Sequence, residues 1–120
     1  ALNLSPALLS NLKQLNYLHA TPVQEKAIPL VLKGRDLMAS AQTGTGKTAG
    51  FVLPILERMS TTRTSGPTSV RTLILVPTRE LAKQVLQAVQ RYSKGLPITS
   101  YAVYGGVALN PQTTAVKQGV

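Results

Sequence analysis

The segment Ala41-Gln42-Thr43-Gly44-Thr45-Gly46-Lys47-Thr48 restricts the fold more than any other part of the chain. A short, mostly apolar run, Asp36 to Ser40, precedes it and reads as a buried strand. An apolar-periodic run, Phe51 to Met59, follows it and reads as a helix. Strand, glycine-rich turn, Lys-Thr and helix, in that order, form a phosphate-binding P-loop. Gly44 and Gly46 permit the tight turn that brings backbone N–H groups up to phosphate oxygens. The helix N-terminus behind them adds partial positive charge and unpaired donors. Lys47 can reach the outer phosphates, and the Thr48 hydroxyl can ligate Mg²⁺. Ala41 stands where the general pattern has Gly. The alternative reading is a glycine-rich connection that holds no ligand; the agreement between the loop and both its flanks favours phosphate.

At 120 residues the chain suffices for one small domain or part of a larger one. A hydrophobic content of 43% is that of a packed globular protein and argues against global disorder. No apolar run is long enough to span a membrane, and Ala1 opens no signal-peptide layout, so a cytoplasmic protein without a membrane partner is expected. The lack of Cys excludes disulfides and thiolate metal sites, and the single His19 reads as a solvated loop residue. Thirteen Lys and Arg stand against four Asp and Glu, a formal charge of +9. That balance fits a polyanionic partner, nucleic acid foremost, or an acidic portion lying elsewhere. With one Phe, four Tyr and no Trp, an aromatic base-stacking platform is not expected.

Ser5-Pro6 has the form of an N-cap followed by Pro at the first helical position, and Leu8, Leu9, Leu12 and Leu15 recur at helical spacing. Thr21-Pro22 opens a second helix in the same way, with Thr21 and Gln24 at capping-box spacing. Pro29 should kink this helix and Gly34 end it; Pro54 should kink the next. Ser60 to Ser69, with Arg63, Gly66 and Pro67, reads as a surface loop. Thr72 to Val76 is a buried-strand pattern, and Pro77-Thr78 then leads into a helix that turns Leu81, Val85, Leu86, Val89 and Tyr92 inward. Gly95-Leu96-Pro97 ends it; Ile98 to Tyr104 reads as a third strand stopped by Gly105-Gly106, and Asn110-Pro111 as a helix start with too few residues left before Val120 to complete it. Alternating strands and helices predict an α/β fold with a parallel sheet and right-handed crossovers, its phosphate site at the carboxyl ends of the strands. Three strands are few for such a sheet, so an incomplete domain is expected.

Four segments, taken in order and with their spacing, resemble the first RecA-like domain of DEAD-box ATP-dependent RNA helicases. Tyr17-x-x-Ala20-Thr21-Pro22-Val23-Gln24 is similar to the adenine-reading Q motif, and Ala41 to Thr48 to motif I, whose family form begins with Ala. Pro77-Thr78-Arg79-Glu80-Leu81-Ala82 is similar to motif Ia and Gly105-Gly106 to the double-glycine motif. Gly34 to Ser40, and Tyr104-Gly105-Gly106-Val107 up to Asn110-Pro111-Gln112, resemble the bacterial RhlE-type subgroup more closely. Asn16 replaces the usual Gly before the aromatic, Ala20-Thr21-Pro22-Val23-Gln24 replaces Pro-Thr-Pro-Ile-Gln, and the upstream Phe that stacks on adenine in the family has no counterpart from Ala1 onward.

The resemblance implies a P-loop NTPase of the RecA-like three-layer type, incomplete within these residues. It implies ATP and Mg²⁺ as cofactors: Gln24 reading adenine with Tyr17 near the base, Ala41 to Thr48 around the phosphates, Lys47 stabilising them and Thr48 on Mg²⁺. Gln24 pairs chemically with adenine's edge, which guanine does not present, but a capping box also calls for Gln there. Tyr17 fits the base or the core equally. Pro77, Thr78, Arg79, Gly105 and Gly106 would form a face for the RNA backbone, against the plainer reading of Thr78 as an N-cap and Gly105-Gly106 as a turn. In the family, the acidic segment that binds Mg²⁺ and orients water, and the second domain, come later in the chain. Hydrolysis and unwinding by these 120 residues alone are therefore expected to be negligible. The rivals are a P-loop ATPase of another class, such as a DNA translocase, and a non-enzymatic nucleic-acid-binding piece.

Overall fold

The computed structural model describes residues 2–62 and 69–120. The elements run α1 (Pro6–Gln14), α2 (Pro22–Leu32), α3 (Lys47–Thr61), α4 (Arg79–Tyr92) and α5 (Leu109–Gln118). α1, α3 and α4 stand where the apolar periodicity puts them, and α2 where Thr21-Pro22 opens it; α5 forms ten residues where too few were expected to complete a helix. Helices α2 and α3 continue through Pro29 and Pro54. Gly34, at φ +75°, turns the chain out of α2. The α5 helix starts one residue before the Asn110-Pro111 signal and finishes at Gln118. The expected loop around Arg63, Gly66 and Pro67 lies outside the described residues.

The expected strands differ from what is observed. Asp36–Ser40, Thr72–Val76 and Ile98–Tyr104 carry no helix or turn, and among the described residues none is paired into a β-ladder; Asp36–Ser40, expected to be buried, is exposed throughout, Met38 at 98%. For the two later segments the physical reason is spacing. A cleft of about 380 Å³ separates residues 70–76 from 98–103, floored by Val52, Leu56, Val85 and Val89 of α3 and α4. The two segments flank this space instead of bonding across it. Alternation still holds: Thr72, Ile74 and Val76 turn toward the helices, whereas Leu73 and Leu75 are 74% and 84% exposed. That is the period-two pattern of a strand with one covered face.

The core lies between α1, α3 and α4 and is closed by α2. Leu4, Leu8, Ile28, Val52, Leu53, Leu56, Val85, Val89 and Tyr92 form one buried cluster. Burying each large aliphatic side chain contributes about 1.5–3 kcal/mol. α2 packs most closely on α3, whose N-terminus follows the loop 41–46, so residues 21–24 and 41–48 share one apolar support. The α1 helix is tied down by polar contacts of long sequence range. Buried Asn11 donates from Nδ2 to the carbonyls of Tyr92 and Lys94, each at 2.8 Å. At its other end, Ser5 N–H donates to Glu57 Oε2 at 2.9 Å. The expected Ser5 hydroxyl cap is not made; Ser5 Oγ is buried without a partner among the described residues.

Candidate nucleotide and nucleic-acid site

The loop Ala41–Gly46 leads into α3 with Gly46 as N-cap at φ +84°. A glycine cap has no side chain to bond the first-turn N–H groups, which are left for a ligand. Gly44, at φ +82°, makes the other left-handed turn, with open space around its Cα. Thr45 Oγ1 donates to Gln42 O at 2.6 Å and braces the loop from within. Lys47 is exposed, and its Nζ donates to Ala41 O at 2.6 Å, so the ammonium folds over the mouth of its own loop. Thr48, in the first turn of α3, is half-buried. The donor set is a run of backbone N–H groups, one ammonium and one hydroxyl. It suits a polyphosphate with a hard divalent cation.

Gln24 joins this loop. Its Oε1 accepts from Thr21 N–H at 3.0 Å, and its Nε2 donates to Gly46 O at 3.1 Å. The first bond is one half of a capping box; the other half brings the Gln24 backbone N–H to the Thr21 side chain, whose Oγ1 makes no full hydrogen bond among the described residues. The second bond ties α2 to the P-loop. A primary amide keeps one further lone pair and one further N–H, which are the pair an adenine edge requires. Capping, bracing and base reading are therefore compatible. Tyr17 lies elsewhere in its contacts: its ring meets Tyr92 edge to face at 6.1 Å, and it is 53% exposed. Burial, the neighbouring Tyr17 and a hydrogen bond with it push the Tyr92 hydroxyl up to about 12, against the opposing charge of Arg91.

Pro77, Thr78 and Arg79 are exposed at the start of α4. Thr78 is the N-cap, its Oγ1 accepting from Leu81 N–H at 3.1 Å. Arg79 is not simply solvated. Its Nη1 reaches Gly105 O at 3.5 Å and lies where a Cβ on Gly106 would stand. Gly106 has φ +80°. The structure thus brings Thr78-Arg79 and Gly105-Gly106 together across 26 positions of sequence. Lys83 escaped the sequence reading, and Gln112 entered it only through the Asn110-Pro111-Gln112 resemblance, without its contacts. Lys83 places Nζ 5.6 Å from the centre of the Tyr104 ring, and buried Gln112 bonds the Tyr104 backbone. Lys83 could have been found one helical turn beyond Arg79. Gln112 carries no such signal, because its partner lies in a loop.

Two further observations bound the chemistry. Among the described residues no group of three or more His, Asp or Glu could hold a metal ion, and no helix is long and apolar enough to cross a membrane. His19 is exposed.

Comparison with known proteins places the arrangement. The profile of the DEAD/DEAH box helicase family matches residues 21–120. The chain is 41% identical over 118 residues to the DEAD-box ATP-dependent RNA helicase CshA of Streptococcus pneumoniae, covering 98% of this chain and 22% of that protein. It is 40% identical over 131 residues to the probable ATP-dependent RNA helicase ddx3 of Dictyostelium discoideum, covering 98% of this chain and 18% of that protein. The chain thus spans about a fifth of the length of these curated relatives. Among solved structures, the RNA helicase Prp28 from Chaetomium thermophilum bound to ADP superposes with a TM-score of 0.85 at 36% identity, over 98% of this chain and 29% of that one. A hypothetical ATP-dependent RNA helicase from Sulfolobus tokodaii superposes at 0.82 with 31% identity, over 97% of this chain and 32% of that one. The family match spans residues 21–120, most of the chain, and relatives over 30% identical agree with it: the chain belongs to the DEAD/DEAH box helicase family.

Proposed function

We propose that residues 1–120 are the N-terminal portion of the ATP-binding domain of an ATP-dependent RNA helicase. The observation that carries this is the side-chain-free N-cap at Gly46, with Lys47 over the loop and Gln24 bonded behind it. In this reading residues 16–24 are the Q motif, 41–48 motif I, 77–82 motif Ia and 105–106 the double glycine. The three strand-patterned segments are strands of a parallel RecA-like sheet, with helices on both faces, that is incomplete here. The unpaired segments on either side of the apolar-floored cleft support that. The form of residues 34–40 and 104–112 favours the bacterial RhlE-type subgroup, and the absence of an apolar span of membrane length fits a cytoplasmic home.

ATP supplies the phosphoryl group and Mg²⁺ the charge that neutralises it. The chain's own part is to bind and orient. Gln42, Thr43, Gly44, Thr45, Gly46, Lys47 and Thr48 offer backbone N–H groups, with Ala41 at the base of the loop. Lys47 would exchange its bond to Ala41 O for phosphate oxygens, Thr48 would offer its hydroxyl to Mg²⁺, and Gln24 would pair with adenine; Tyr17 is the aromatic of the same motif, its ring on Tyr92. Pro77, Thr78, Arg79, Gly105 and Gly106 hold RNA by its backbone. Such contacts read no bases, so binding is sequence-independent and weakens as salt rises.

The test is thermal unfolding with saturating Mg-ADP or Mg-GDP. A ligand bound only by the folded state raises the midpoint. ADP should raise it, GDP should not, and K47A should remove the ADP shift while leaving the unliganded midpoint nearly unchanged, because the Lys47 bond is exposed. An ADP shift that survives K47A would sink this assignment.

A further inference from the structure

We propose that Gln112 is a positioning residue that presents the Gly105–Gly106 turn to a nucleic-acid backbone; this rests on the RNA face proposed above. Gln112 is only 8% exposed, on the second turn of α5, a helix with few other buried side chains. Its Oε1 accepts from Tyr104 N–H at 2.8 Å. Its Nε2 donates to Tyr104 O at 3.2 Å and to Ala108 O at 3.0 Å. Both amide hydrogens and an oxygen lone pair are used. One side chain thus bonds the Tyr104 peptide groups as a neighbouring strand would, and closes the far end of the turn at Ala108.

Between these two anchors, Gly105, Gly106 and Val107 are exposed, and among the described residues no protein acceptor takes their N–H groups. The anchored ends and unspent donors make a preorganised site for an anion that approaches backbone. The charge around it has the right sign: Arg79 lies against Gly105 and Gly106, and Lys83 over the Tyr104 ring. A buried polar side chain is costly unless it bonds fully. A core apolar residue would seal α5 equally well, so the chemistry spent at Gln112 points to the turn and not to packing. The ligand class is a phosphodiester backbone, contacted without base reading.

The test uses the 120-residue chain with Q112L and Q112N, the first removing the amide and the second shortening its reach. Anisotropy of a fluorescein-labelled oligouridylate measures binding at low salt. Mg-ADP-induced shifts in melting report on the distant P-loop, and amide exchange reports on Tyr104 N–H. Both variants should weaken RNA binding about tenfold, the scale of one misplaced backbone contact. The ADP shift should be unchanged and Tyr104 exchange faster. Faster exchange with unchanged RNA affinity, while G106V weakens binding, overturns the role of Gln112 and leaves the RNA face standing. Unchanged affinity in Q112L, G106V and R79A together overturns the RNA face itself. Loss of the cooperative melt in both Gln112 variants also overturns the proposal, because a clasp confined to one turn cannot carry the whole fold.

Discussion

Replacing Gly46 with alanine probes whether the phosphate loop and the Gln24 segment are held as one body. Gly46 sits at φ +84°, and an alanine forced into the left-handed region costs about 1–2 kcal/mol. The added Cβ would also run into Gln24 Nε2, with Gln24 Cδ and Thr21 Cγ2 each at 3.3 Å. Gln24 must swing away and give up its bond to Gly46 O, a loss of about 0.5–1.5 kcal/mol. The sum is about 1.5–3.5 kcal/mol. Gly44 is the internal control: φ is +82°, but nothing lies within 4 Å of a Cβ there, so G44A should show only the backbone part, about 1–2 kcal/mol. Urea unfolding of wild type, G46A, Q24A and the double variant reads the coupling directly. In the Q24A background G46A should cost about 1 kcal/mol less, since the obstructing amide is gone. An equal cost in both backgrounds refutes the steric argument and the latch with it.

Asn11→Ala leaves the carbonyls of Tyr92 and Lys94 without their donor and opens space at the α1–α4 contact; urea unfolding should show a loss of about 2–3 kcal/mol, and a loss below about 0.5 kcal/mol would contradict the role given to that amide. Tyr92 holds its proton up to about 12, whereas the unfolded chain releases it near 10. Below the lower value both states are protonated and stability carries no pH dependence from this group. Between the two values the folded state binds more protons, so stability falls as pH rises. Melting temperature followed across that alkaline window should drop more steeply in wild type than in Y92F, and parallel curves would remove Tyr92 as the cause.

Helices were readable because each signal acts locally. Pro6 and Pro22 at helix starts, Thr78 as a cap and the inward spacing of Val85, Val89 and Tyr92 depend on neighbours within a turn or two. The strand patterns were equally visible, and the alternation at 72–76 is there in the exposures, yet pairing is a property of two segments and no ladder forms across the cleft. The turn at Gly44 and Gly46 and the helix start at Lys47 were legible because their signals sit in eight consecutive positions. What was illegible is what crosses the chain. The Ser5 hydroxyl cap failed because Glu57 takes the Ser5 N–H, fixing that end of α1 from 52 residues away. The approach of Arg79 to Gly106 and the bonds of Gln112 to Tyr104 each join positions that no local pattern pairs.

The hold of Asn11 on Tyr92 and Lys94 also sets an order of events during synthesis. Leu8 faces a core whose α4 wall comes some eighty residues later, and the amide that fixes α1 has a partner at a sequence separation of 81. At about 5–20 residues per second, α1 waits roughly 4–16 s for that partner to be made. For part of that interval only α3, reached through Glu57 and the core residues Val52 and Leu56, is there to cover its apolar stripe. α1 is therefore secured in two stages, at Glu57 and later at Tyr92 and Lys94, and its amide contact is open to capture by a chaperone until α4 emerges.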